Sequence, residues 1–121
     1  MIPAEQLLKL VVETLDDAKG RDITVVDVRT KTGMTDYMVV ATGTSERHVK
    51  SMAGHVAEEA KKNATQPLGV EGEDVGEWVL VDLGDVVVHV MKEPIRAFYQ
   101  LEKLWRGEAS ADSPEAGILL H

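Results

Sequence analysis

The stretch Gly76-Glu77-Trp78-Val79-Leu80-Val81-Asp82-Leu83-Gly84-Asp85-Val86-Val87-Val88-His89-Val90-Met91 constrains the fold more than any other part of the chain. Two runs of strand-forming residues stand on either side of the tight punctuation Leu83-Gly84-Asp85, which predicts a β-hairpin. The first arm alternates, so Trp78, Leu80 and Asp82 point to one face and Val79, Val81 and Leu83 to the other. A sheet that buries the valines turns the Trp78 face outward or into a partner. An indole on a polar-edged strand is a common recognition anchor; Trp78 as an ordinary core residue is the open alternative.

The remaining elements follow from spacing. Residues 4–19 carry Leu7, Leu8, Val11, Val12, Leu15 and Ala18 on one helical stripe, with Gly20 as the expected stop. Ile23-Thr24-Val25-Val26-Asp27-Val28 is a β-branched strand. Tyr37-Met38-Val39-Val40-Ala41-Thr42 is almost wholly apolar, as expected of a strand covered on both faces. Thr44 or Ser45 caps a helix reaching about Asn63, with Val49, Met52, Ala53, Val56 and Ala60 on its apolar face. Leu68-Gly69-Val70 forms a short strand before the hairpin. Pro94 opens a last helix bearing Ile95, Phe98, Tyr99, Leu101, Leu104 and Trp105. The order α-β-β-α-β-β-β-α predicts a single α/β domain, a mixed sheet flanked by helices, over residues 1–106. Residues 107–121, small and acidic without periodicity, read as a tail.

Composition narrows the functions. The 121 residues suffice for one domain, and there is no cysteine for a disulfide, thiolate nucleophile or thiolate metal site. The formal charge of −8 argues against holding nucleic acid through phosphates and suits a basic protein partner, with simple solubility as the open alternative. No run approaches the ~18 apolar residues of a membrane span. No signal or transit segment precedes the first helix, so a cytoplasmic location is expected.

Candidate chemistry is thin. Gly43-Thr44-Ser45, between a strand and a helix, is a place where backbone N–H groups could hold an anion, but the Walker and dinucleotide patterns are absent. Asp82 and Asp85 bracket the hairpin turn three residues apart, where turn chemistry accounts for them more simply than a metal clamp does. His48 and His55 are seven apart on one helix, ~10 Å along its axis, too far to share a metal. His89 stands alone in a valine-rich strand. No catalytic residue, metal site or cofactor is expected.

Three ordered blocks carry a resemblance. Thr35-Asp36-Tyr37-Met38-Val39-Val40-Ala41-Thr42-Gly43-Thr44-Ser45-Glu46-Arg47-His48-Val49 is the first. Gly72 followed by Gly76 through Val90 is the second, and Phe98-Tyr99-Gln100-Leu101-Glu102-Lys103-Leu104-Trp105 the third. Together they resemble the ribosomal silencing factor, or Iojap-like, family. The departures are mild: Met38 for an aromatic residue and Leu83 where the family often has Tyr. The resemblance implies a nucleotidyltransferase-like fold without catalytic carboxylates. It also implies a protein, often homodimeric, that binds the large ribosomal subunit at its intersubunit face, through the universal large-subunit protein number fourteen. Such a protein blocks joining of the small subunit and represses translation under nutrient limitation. With the resemblance, Trp78, Leu80, Asp82 and Asp85 become the expected contact residues, joined by Asp36, Tyr37 and His89. The alternative is a nucleotidyltransferase-like nucleotide-binding enzyme, which needs a paired strand carboxylate set.

Overall fold

A computed structural model describes residues 2–100. Its elements run α1 (Ala4–Asp17), β1 (Arg21–Asp27), β2 (Tyr37–Gly43), α2 (Glu46–Lys62), β3 (Gly69–Glu71), β4 (Trp78–Asp82), β5 (Val86–Lys92) and α3 (Glu93–Tyr99). This is the order that the spacing predicts. The part of the last helix expected at Leu101, Leu104 and Trp105, and the tail, lie outside the described residues.

One five-stranded mixed sheet, ordered β1-β2-β5-β4-β3, forms the middle layer. β2 and β5 pair in parallel, which the long crossover through α2 permits; the other pairs are antiparallel. Every residue of β2 is buried, as its apolar run requires.

The two sheet faces are covered unequally. On one, Val39, Ala41, Val79, Val81, Val88 and Val90 pack against Leu7, Val11 and Leu15 of α1 and Val49, Met52 and Val56 of α2. Burying each such side chain contributes roughly 1.5–3 kcal/mol, so this larger core dominates stability. On the other, Val26, Val28, Met38, Val40 and Met91 form a smaller cluster, which Trp78, Ile95 and Tyr99 flank. The short α3 is its helical cover among the described residues.

The helix ends refine the expectations. Lys19, not Gly20, takes the left-handed backbone conformation after α1, with φ 66°. Gly20 is needed for space instead, since a Cβ there would lie 2.6 Å from the Met52 methyl and 2.9 Å from the Leu15 carbonyl oxygen. Ser45 is the cap of α2, its hydroxyl accepting from the His48 N–H at 3.1 Å. The helix closes through Ala64 at φ 61°, with the Thr65 N–H donating back to the Ala60 carbonyl.

Candidate partner-binding face

Trp78, Leu80 and Asp82 project from the second, thinly covered face of the sheet, while Val79 and Val81 are fully buried on the first. The alternation therefore holds residue for residue. Trp78 is neither free nor core: it is half-buried and held from two sides. Its indole N–H donates to Nδ1 of His89 at 3.0 Å, and its ring lies 5.0 Å from that of Tyr99, tilted by 48°. Because an indole nitrogen can only donate, Nδ1 of His89 must accept, which leaves the imidazole proton on Nε2.

His89 is directly opposite Leu80 on the neighbouring strand and is 3% exposed. Burial, which penalises the charged form, pushes its pKa down to about 4. A buried neutral imidazole thus backs a half-exposed indole.

The expected acidic residues gather where the strands meet the hairpin turn. Asp82 Oδ1 accepts from the Gly84 N–H at 2.9 Å, and Gly84 has φ 85°, so Asp82 shapes the turn. The Asp85 carbonyl accepts from both the Asp36 and Tyr37 N–H groups, at 2.9 and 3.0 Å. That double bond sews the hairpin turn to the connection between β1 and β2, bringing Asp36 and Asp85 side by side. Both are half-exposed.

Tyr37 lies elsewhere. It belongs to the core under α1 and α2, 8% exposed, on the sheet face opposite Trp78. The Arg29 guanidinium stands 5.4 Å from its ring centre, clamped by Asp27 with Nη2–Oδ2 at 2.6 Å. The Arg29 hydrogen bond holds the Asp27 carboxyl below the usual carboxylate range. The expected contact residues therefore divide into a row of Trp78, Leu80 and Asp82, an acidic end of Asp36 and Asp85, and two buried supports, His89 and Tyr37.

Two further neighbours of this face are not singled out by the sequence as part of it. Leu68 is 74% exposed, and its N–H donates to the Asp82 carbonyl at 2.8 Å, which seats it beside the acidic turn. Tyr99 shows only as an apolar position of a short helix, although it is the ring that packs on Trp78.

The remaining candidates are already engaged. The Thr44 N–H donates to His48 Nδ1 at 2.9 Å, and His48 Nε2 is 2.8 Å from the Ala18 carbonyl. The Gly43-Thr44-Ser45 turn is thus filled by its own histidine, which also ties α2 to the end of α1. Among the described residues, no group of three or more His, Asp or Glu could hold a metal ion. A groove lined by Lys50, Glu58, Lys61 and Glu73 runs along α2, away from the Trp78 row. Trp78, Leu80, Asp82, Asp36 and Asp85 form a surface rather than a pocket.

The family model described as "Ribosomal silencing factor during starvation" matches residues 2–118. The chain belongs to the ribosomal silencing factor family. A Haemophilus influenzae member, named ribosomal silencing factor RsfS, is 46% identical over 99 residues, 82% of this chain and 97% of that protein. A mouse relative, named mitochondrial assembly of ribosomal large subunit protein 1, is 37% identical over 101 residues, which cover 81% of this chain and 44% of that protein. The crystal structure of a Chromobacterium violaceum protein is similar with a TM-score of 0.86 and 43% identity, covering 90% of this chain and 91% of that one. The family resemblance carried by the three sequence blocks is therefore correct, and the mixed α/β fold is shared with a solved structure. Several of its bacterial members are named ribosomal silencing factors.

Proposed function

We propose that this protein binds the large ribosomal subunit with the Trp78-Leu80-Asp82 row and the adjoining Asp36 and Asp85, and keeps the small subunit away by occupying space. The observation that carries this reading is the row itself. An aromatic anchor, an aliphatic neighbour and a carboxylate stand on the thinly covered sheet face, with more carboxylates at its end. A central apolar anchor inside a charged rim is the usual anatomy of a protein interface. The charge of −8 suits a basic ribosomal protein, universal large-subunit protein number fourteen in this reading, and speeds encounter with it. The mouse relative's name also contains the large ribosomal subunit. His89 and Tyr37 act from behind the surface. The protein works in the cytoplasm, lowers translation when nutrients are scarce, and needs no catalytic group. Two copies of the chain also pair, as the family resemblance implies.

Co-sedimentation with purified large subunits, with and without small subunits, tests this. Binding to the large subunit with loss of the joined ribosome is the expected result. A folded protein that stays in the supernatant overturns it. Light scattering of the wild type and Trp78→Ala then tests whether self-association uses the same row.

A further inference from the structure

Helix α3 has seven residues and no side-chain cap at its start, too short to persist without tertiary support. Arg96 supplies that support. Its Nη1 donates to the Asp22 carbonyl at 2.5 Å and to Thr42 Oγ1 at 2.9 Å, and its Nη2 donates to Thr24 Oγ1 at 2.8 Å.

These acceptors come from an irregular start to β1. The register with β2 shifts between Arg21 and Thr24, and Asp22 in that interval has φ 48°. A local break of this kind re-aims backbone groups away from the ladder. The Thr24 hydroxyl also donates to the Asp22 carbonyl at 3.2 Å, fixing it, and Thr42 is 4% exposed. The result is a socket of three oxygens matched to a planar guanidinium fork. From the socket the path to the indole is short. Tyr99 follows Arg96 by three residues, on the same side of the helix, and its ring lies 5.0 Å from that of Trp78.

Resting on the contact role proposed for Trp78, we infer that Arg96 is a positioning residue. By locking α3 into the Asp22–Thr24–Thr42 socket, it fixes Tyr99 against Trp78 and sets the pose in which the indole meets its ribosomal partner. The socket lies on β1 and β2 and the contact row on β4, with β5 between them, so Arg96 acts through α3 without touching the partner.

Arg96→Lys and Thr42→Val test this in the full chain. A Trp105→Phe background leaves Trp78 as the single tryptophan. Lysine keeps the charge but cannot fill the fork. The readouts are hydrogen exchange of the indole N–H by NMR and affinity for purified large subunits. The expected result for Arg96→Lys is exchange on the order of tenfold faster and affinity on the order of tenfold weaker, with far-UV circular dichroism unchanged. Thr42→Val shifts both readouts in the same direction by less, and it decides alone if Arg96→Lys unfolds. Unchanged indole exchange in a folded variant overturns the inference. Wild-type affinity for Arg96→Lys beside lost binding for Trp78→Ala also overturns it, and leaves the contact role of Trp78 standing. Undiminished binding by Trp78→Ala overturns both.

Discussion

The indole of Trp78 and the imidazole of His89 share one hydrogen bond, 3.0 Å long, between neighbouring strands on the thin face of the sheet. The bond exists only while Nδ1 carries no proton, so the indole's support is tied to the charge of a buried residue.

A pH dependence of stability follows. His89 ionises near pH 4 in the folded protein and near ~6.5 when unfolded. Above the unfolded value it is neutral in both states and contributes no slope. Between about pH 6.5 and 4 the unfolded chain binds the proton and the folded one does not, so stability falls as the pH is lowered. The loss reaches on the order of 3 kcal/mol. Urea unfolding at pH 7, 5.5 and 4.5 measures it. His89→Asn, which keeps an acceptor near Nδ1 but does not titrate, is expected to flatten this slope.

The bond itself is measurable by a double-mutant cycle. Trp78→Phe removes the donor and leaves a buried acceptor unpartnered, a loss of about 1–3 kcal/mol. Adding His89→Leu removes the orphaned group, so the double variant is expected to lose less than the sum of the singles, by about 1 kcal/mol. Additive losses would mean that the two rings are merely neighbours.

At the other end of the row, Asp36 and Asp85 are held together by backbone bonds to the Asp85 carbonyl. Asp36→Asn and Asp85→Asn are expected to leave stability within about 0.5 kcal/mol of wild type. They are also expected to slow association with large subunits several-fold at low salt. The difference shrinks toward about 1 M salt, where the screening length is near 3 Å. Stopped-flow association rates across ionic strength read both effects, and a salt-independent deficit would assign these carboxylates a different role.

Gly72 offers a steric prediction. Its φ is 87°, and a Cβ there would lie 2.1 Å from the carbonyl oxygen of Trp78. Gly72→Ala therefore strains its own backbone and displaces the start of β4. A loss of at least about 2 kcal/mol is expected, together with a shifted indole resonance for Trp78. Gly54→Ala, where an added Cβ meets nothing within 4 Å, is the control and is expected to be neutral or slightly stabilising.

The order of elements is legible in the sequence because each apolar stripe keeps one period throughout. Val49, Met52, Ala53, Val56 and Ala60 all reach the core of α2. The facing of β4 is equally legible, since a period of two leaves no choice once Val79 and Val81 are buried. What the sequence does not disclose depends on distant partners. Tyr37 stands in an apolar run that reads as covered on both faces without saying what covers it, and Trp78 reads equally as an anchor or a core residue. Only the sheet order sends Tyr37 beneath α1 and leaves Trp78 against α3. The socket for Arg96 joins residues 54, 72 and 74 positions away, and no local pattern encodes such a meeting. Leu68 reads as a strand residue and is instead an exposed neighbour of the turn.

The placement of β2 also governs when the protein can fold. Its neighbours are β1, made before it, and β5, made more than forty residues later, after α2 and two further strands. A nascent chain that has emerged only as far as α2 presents Val39 and Val40 with one hydrogen-bonding edge unfilled. Folding must wait for synthesis to pass Lys92, because a parallel pair of such long sequence separation cannot close earlier. Until then the newborn chain carries an apolar strand with an unpaired edge, the kind of feature that aggregates.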